Sequence, residues 1–413
     1  MKKRCFAFLV VCLLLVRGVL PALATEEAKV YPYDFAFEAF WYEPSLSAVN
    51  FESSLPRKSC LLMEASTGKV LYADNQHERL PIASVTKVMA TLLIMEALDG
   101  GKIALEDTVT VSERAASMGG SQVFLEPGEQ MSVDDLLKSV IVVSANDATV
   151  ALAEAIYGSE EAFIAAMNQK GKELGLNNTN FVNTNGLPAQ GHYSSAYDVA
   201  VTTRELLKHS TVLNYTNIWM DTIRDGAFGL ANTNKLVRFY KGANSMKTGF
   251  TSEAGYCLSG TALRDGMQLI AVVLGSPTSE DRFALAKQLL DFGFANYRIF
   301  TPEMELPESL PVTCGVTDRI KLTAEPPALL LEKGASGELT QTLTLPETTE
   351  APVKKGQQLG TVEFTQNGVS LAVIPVFAAE DAKRMDFLTM INRIFTNIFS
   401  FLRLTSGDES CIM

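Results

Sequence analysis

Ser84 and Lys87 stand three positions apart in "PIASVTKVMA", with an apolar run behind them. A serine hydroxyl becomes a nucleophile when a base removes its proton, and a lysine amine of lowered pKa is one such base. A second pair with the same offset, Ser66 and Lys69, occurs in "EASTGKV". A chain of this length contains of order one to two Ser-x-x-Lys strings by chance, so the surroundings must decide between them.

The elements that carry the two pairs differ. "CLLMEA", "STGK" and "VLYADN" read as strand, turn and strand, which leaves Ser66 and Lys69 in a hairpin turn where a three-residue offset shares no face. After Pro81, "SVTKVMATLLIMEAL" is rich in helix formers and apolar nearly all round, so a central buried helix is expected. Residues three apart on a helix share a face. Lys87 is then held beside the Ser84 hydroxyl in a buried first turn, where desolvation of an ammonium is expensive. Taken alone, the pair fits equally a serine that caps the helix and a lysine that reaches solvent.

Two further stretches carry polar groups of the same chemistry. "LLKSVIVVSANDATVALAEAI" sets Ser144 and Asn146 between an apolar run and another helix. "NSMKTGFTSEAGYCLSG" sets Lys247, Thr248 and Gly249 at the start of a strand-like segment that continues through Tyr256, Cys257 and Leu258. The order S-x-x-K, S-x-N, K-T-G within one domain-sized stretch is specific where each motif alone is weak. Only His77, His192 and His209 occur, in no metal-ligand spacing, and Ser84 lacks the flanking glycines of a G-x-S-x-G elbow. A zinc hydrolase and a Ser-His-Asp enzyme of that type are set aside.

On these motifs, and on "GSQVFLEPGEQMSVDDLL", "FVNTNGLPAQGHYSSAYDVA" and "APVKKGQQLGTVEF", the chain from about residue 59 onward resembles the low-molecular-mass penicillin-binding proteins, the serine-type D-alanyl-D-alanine carboxypeptidases. The resemblance implies an α+β fold. A β-lactamase/transpeptidase-like domain (antiparallel sheet flanked by helices, with a helical subdomain) is followed by a small all-β domain and a C-terminal amphipathic helix. It implies removal of the terminal D-alanine from peptidoglycan stem peptides through a Ser84 acyl-enzyme, acylation by β-lactam antibiotics, and no cofactor or metal. Lys87 would be the general base, Ser144 a proton relay, and Asn146 a holder of Lys87 and the substrate amide. Lys247, Thr248, Gly249 and Thr251 would bind substrate, the first two through its terminal carboxylate. The backbone N–H groups of Ser84 and Phe250 would receive the oxyanion. Some members carry histidine where this chain has Phe250, a change that spares the N–H, and many read "SGN" where this chain has Ala145. His192 resembles a loop histidine with a structural role.

Two other classes compete. A secreted β-lactamase needs a deacylating Glu-x-x-x-Asn, and Glu173 with Asn177 in "KELGLN" fits that string, although the segment reads better as an amphipathic helix ending at Gly175. A non-catalytic cell-wall binding protein on the same scaffold should have lost Ser84, Lys87 or Lys247, and all three are present.

Residues 1–24 have a basic start, an apolar core and a small-residue "ALA" end, which is the pattern of a signal peptide, so export to the outer face of the cytoplasmic membrane is expected. Its removal takes Lys2, Lys3, Arg4, Arg17 and no acid, which moves the formal charge from −12 to −16. So acidic a chain is a poor ligand for nucleic acid. Residues 25–55 read as an extended lead-in, 56–298 as the peptidase domain and 299–379 as a β module of short runs punctuated by Pro and Gly. Residues 380–404 are expected as an amphipathic helix lying in the membrane interface, with apolar side chains repeating at a helical period from Phe387 to Leu402 among Lys383, Arg384, Arg393 and Arg403. Cys60, Cys257, Cys314 and Cys411 allow three disulfide pairings or none.

Overall fold

The computed structural model describes residues 51–405 apart from 245, 335 and 336, and side chains as far as residue 396. The expected leader, most of the lead-in and Cys411 lie outside the described residues. At the start of the described chain, Phe51 packs edge-on against Tyr72 and Phe292.

Strands β1 (Ser59–Glu64) and β2 (Val70–Asp74) form the expected hairpin. Its turn is organised by the buried Glu64 carboxylate, which accepts from the backbone N–H and hydroxyl of both Ser66 and Thr67. The Ser66/Lys69 pair thus belongs to a turn. A 3₁₀ turn, Ala83–Thr86, leads into α1 (Lys87–Asp99). Further along come α2 (Val133–Val142), α3 (Asn146–Tyr157), α4 (Glu160–Glu173) and α5 (Ala196–Leu206). A hairpin, β3 (Met220–Ile223) and β4 (Phe228–Ala231), precedes β5 (Lys247–Thr251), β6 (Gly255–Arg264), β7 (Met267–Ser276) and α6 (Ser279–Asn296).

The main sheet is antiparallel throughout, in the order β2-β1-β7-β6-β5. Both faces are covered, and alternation along β1 shows it: Leu61 and Met63 join the helical core around α1, whereas Cys60 and Leu62 join the core under α6. Leu92, Leu93 and Ile94 of α1 are almost wholly buried, each stabilising the fold by about 1.5–3 kcal/mol relative to exposure. Helix starts obey local chemistry, with Ser132, Ser159, Ser195 and Thr278 accepting from the N–H three residues on. Ser84 does not follow that rule. It lies inside the 3₁₀ turn and caps nothing, and the apolar run after Pro81 begins as α-helix only at Lys87. The K-T-G segment also differs from its reading as one continuous strand, because a turn at residues 252–254 divides it into β5 and β6.

Strand β8 (Tyr297–Phe300) continues directly from α6. It pairs with β11 (Leu329–Glu332), which follows β9 (Ser309–Thr313) and β10 (Arg319–Thr323). Strands β12 (Leu339–Thr344), β13 (Thr349–Glu350), β14 (Gln358–Gln366) and β15 (Val369–Ala378) complete a six-stranded sheet ordered β12-β14-β15-β10-β9-β13. Helix α7 (Phe387–Thr405) begins at the first residue of the apolar repeat, seven residues after the expected bound at 380. Ala382 and Arg384 are instead bridged to Val353 and Gly315. Phe387, Leu388, Met390, Ile394 and Phe395 are exposed on α7, and Arg393 is ion-paired with Asp318. Among the described residues no helix is long and apolar enough to cross a membrane. Cys60, Cys257 and Cys314 are free thiols.

Candidate active site

The turn that carries Ser84 is squeezed from two sides. Ala83 has a left-handed backbone (φ +47°), rare for a non-glycine residue and held only by surrounding structure. A Cβ on Gly186 would come within 1.8 Å of the Ala83 carbonyl oxygen, and one on Gly249 within 2.9 Å of the Ser84 nitrogen. Both contacts are with backbone, so both positions require glycine for space. Gly249→Ala should therefore push β5 away from the turn and slow acylation of Ser84 about 100-fold, the effect of misplacing reacting groups by about 1 Å. The rate of penicillin adduct formation, with a circular-dichroism check of folding, reads this out.

Lys87 is wholly buried. Its Nζ lies 3.2 Å from Ser84 Oγ and donates to Asn146 Oδ1 (2.6 Å) and the Asn185 carbonyl (3.0 Å). Burial drives its pKa well below the ordinary lysine value, and the Lys247 charge adds to this, against a smaller opposing pull from Asp147. A neutral amine has two donors, which Asn146 and Asn185 engage, and a lone pair left for the Ser84 hydroxyl proton. Asn146 is itself fixed, its Nδ2 donating to the Gly119 carbonyl and its N–H to the Ser121 carbonyl. Ser144 has a left-handed backbone (φ +66°), and its buried hydroxyl has no partner among the described residues.

Lys247 is buried and shares a face of β5 with Gly249, the face that packs on the Ser84 turn. Burial and the neighbouring Arg282 guanidinium push its pKa down to about 7. The Thr248 hydroxyl bonds the Thr233 hydroxyl at 2.8 Å. Phe250 is half exposed and its ring lies on Tyr256, while the Thr251 hydroxyl accepts from the Ala254 N–H and closes the hairpin turn. The structure thus gathers Ser84, Lys87, Asn146, Lys247, Thr248 and Gly249, with Ser144 two residues from Asn146. The Phe250 and Thr251 side chains sit at the outer end of β5.

Three contributors escaped the sequence. Asn185 acts through its main-chain carbonyl, which no residue type reveals. Asp147 accepts from the Val123 and Leu125 N–H groups and pins that loop against Asn146. Arg282 reaches back from α6 to donate to the Gly249 and Cys257 carbonyls, fastening β5 from behind. His192 has the structural part expected of it: the Val182 N–H makes Nδ1 the acceptor, Nε2 meets Thr86 Oγ1 at 2.7 Å, and burial lowers the pKa to about 4. Glu173 is spent at the surface on Lys170 and Gln169, and α4 ends at Glu173, before Gly175, so the Glu-x-x-x-Asn string supplies no deacylating base here. A cavity of about 450 Å³ lies at the far end of α1, lined by Asp99, Lys102, Glu106 and Asp107. It holds no buried nucleophile, so the chemistry is assigned to the Lys87 end.

Known proteins resemble the chain over both of its folded parts. The family model described as D-alanyl-D-alanine carboxypeptidase matches residues 48–278, and that of the penicillin-binding protein 5 C-terminal domain matches residues 299–384. The D-alanyl-D-alanine carboxypeptidase DacF of Bacillus subtilis is 47% identical, over 81% of this chain and 88% of its own. DacC of Escherichia coli is 37% identical, over 86% of this chain and 90% of its own. Penicillin-binding protein 5 of Haemophilus influenzae superposes with a TM-score of 0.73 at 33% identity, covering 81% of this chain and 100% of the other. Penicillin-binding protein D2 of Listeria monocytogenes in its ampicillin-bound form superposes with a TM-score of 0.54 at 31% identity, over 59% of this chain and 100% of the other. A serine beside a buried lysine on an α+β scaffold, followed by the matching C-terminal domain, places this chain in the family of serine D-alanyl-D-alanine carboxypeptidases, the low-molecular-mass penicillin-binding proteins.

Proposed function

We propose that the chain removes the terminal D-alanine from peptidoglycan stem peptides and is acylated by penicillins at Ser84. The observation that carries this is the wholly buried Lys87 amine, 3.2 Å from Ser84 Oγ and beside a second buried cation. Lys87 takes the hydroxyl proton as Oγ attacks the carbonyl of the penultimate D-alanine. The oxyanion is received by the N–H groups of Ser84 and Phe250, each such donor contributing ~2.7–4 kcal/mol to barrier lowering. Ser144, whose buried hydroxyl has no partner among the described residues, passes the proton to the leaving amine, and D-alanine departs. Lys87 then deprotonates the water that hydrolyses the ester. Lys247 and Thr248 hold the substrate's terminal carboxylate, Gly249 lets β5 approach, and Thr251 borders the same crevice as Ala83 and Gly186.

Mass spectrometry of the purified protein with a peptide ending in D-Ala-D-Ala, and separately with penicillin, tests the reading. Released D-alanine and an adduct mapped to Ser84 are expected; rapid catalytic turnover of penicillin would make the protein a β-lactamase instead.

The pH profile carries a further expectation. kcat/KM rises as Lys87 loses its proton and falls as Lys247 loses its own, the two limbs belonging to the coupled pair. Lys247→Gln removes a cation that disfavours charged Lys87. The Lys87 pKa must rise, and the acid limb of the remaining activity should move to higher pH. An unmoved limb would show that Lys247 does not tune Lys87.

We also propose that the protein is exported and lies on the membrane surface through α7. The exposed apolar residues of that helix and the signal-peptide pattern of residues 1–24 support this. A chain ending at residue 386 should no longer sediment with anionic phospholipid vesicles that retain the longer chain.

A further inference from the structure

We infer that Arg224, at the tip of the β3–β4 hairpin, is a positioning residue that fixes the loop carrying the anchors of Asn146. This inference rests on the proposed acyl-enzyme chemistry. The hairpin turn is built from three consecutive left-handed residues, Arg224, Asp225 and Gly226. It aims one guanidinium at a single stretch of chain. Arg224 Nε and Nη2 donate to the two carboxylate oxygens of Glu129 at 2.8 and 3.1 Å. Nη1 donates to the Val123 carbonyl at 2.9 Å and Nη2 to the Phe124 carbonyl at 3.2 Å. The same group lies over the Phe228 ring, which meets Phe124 edge-on.

The gripped loop is anchored by the buried side chains of Val123 and Leu125, and its main chain by hydrogen bonds to two side chains. Phe124 has a left-handed backbone (φ +57°) although its side chain is 65% exposed, so packing of the ring does not account for the strain. Beside the buried Val123 and Leu125 side chains, it is held by the neighbouring N–H groups of Val123 and Leu125 on Asp147 and by the carbonyls of Val123 and Phe124 on Arg224. Just upstream, the Gly119 and Ser121 carbonyls accept from the Asn146 side chain and backbone, and Asn146 Oδ1 accepts from Lys87.

The other end of the hairpin reaches the opposite wall. Strand β4 runs into Thr233, whose N–H donates to the Val142 carbonyl at the end of α2 and whose hydroxyl meets Thr248. One hairpin therefore spans from the loop behind Asn146 to the strand of Lys247 and Thr248. Its forked cation fixes the wall that carries Asn146. A lysine at this position has a single ammonium and cannot serve two carbonyls and both oxygens of a carboxylate together.

Arg224→Ala, Arg224→Lys and Glu129→Gln, with Arg238→Ala as the control, test this by two independent readouts. Arg238 lies over the Trp219 and Phe239 rings. Hydrogen exchange of the Val123 and Leu125 amides reads the loop without reference to any activity, and the rate of acylation by penicillin reads the site. Arg224→Ala and Arg224→Lys should both speed exchange of the two amides and slow acylation about tenfold, short of the ~100-fold that a 1 Å misplacement costs. Glu129→Gln, which keeps the carbonyl contacts and is the milder change if Arg224→Ala folds poorly, should fall between these and the wild type. Arg238→Ala should match the wild type in both. Unchanged exchange in the Arg224 variants overturns the clamp. So does faster exchange with undiminished acylation, and so does full rescue by lysine. A wild-type chain that forms no adduct with penicillin overturns the functional reading instead, while the exchange arm still decides whether Arg224 holds the loop.

Discussion

Ser84→Ala should abolish D-alanine release and the penicillin adduct together, lowering kcat about 10⁶-fold, as loss of the nucleophile does in serine hydrolases. The fold should survive. Ser84 bears no capping load in its 3₁₀ turn, and among the described residues its hydroxyl is engaged with Lys87 alone. The alanine methyl is tolerated by a turn whose tight contacts are to backbone atoms of Ala83 and Ser84. Thermal unfolding near the wild-type midpoint, together with a blank adduct spectrum, is the expected pair of results. An adduct that persists in Ser84→Ala would place the nucleophile elsewhere and end the reading.

Lys87→Met should be nearly as damaging to chemistry, about 10⁴-fold in acylation, the upper range for loss of a general base. Its effect on stability separates it from ordinary core damage. Methionine fills much of the same volume, and the change removes a buried amine whose charged form is costly in the folded state. Against this, Asn146 Oδ1 and the Asn185 carbonyl lose their donor, at about 1–3 kcal/mol for a buried group left unpaired. The midpoint should therefore shift modestly while acylation collapses. Residual acylation should rise with pH, because hydroxide replaces the missing base. A variant that acylates at the wild-type rate would exclude Lys87 as the base.

Much of the site was legible because its residues act through side chains at fixed helical or strand offsets. Ser84 and Lys87 are brought together by one turn of local backbone, and Lys247 and Gly249 by the two-residue period of β5. The hairpin that disposes of Ser66 and Lys69 was readable from its Ser-Thr-Gly turn. What escaped acts through the main chain or across long separations. The Asn185 carbonyl has no residue-type signature, and Arg282 and Arg224 reach groups 33 and 95 or more residues away. The start of α7 was misplaced for a related reason. The expected helix was extended back over the charged stretch from residue 380, but Ala382 and Arg384 are bridged to Val353 and Gly315, partners invisible to a helical wheel.

The sequence by itself determined which groups are available: a hydroxyl and an amine on one turn, a second cation on a strand, serine and asparagine at a helix start, and no histidine in a catalytic pattern. It also determined that the helix behind them is central, since it is apolar on every side. Only the tertiary structure decided that Lys87 is stripped of water and set beside Lys247, which turns an ordinary ammonium into a base. It alone decided that Ala83 is held in a strained turn between Gly186 and Gly249. The physical reason is that desolvation and close backbone approach are properties of what surrounds a residue, and those surroundings come from distant parts of the chain, Asn146 and Asn185 lying 59 and 98 positions from Lys87 and Lys247 farther still.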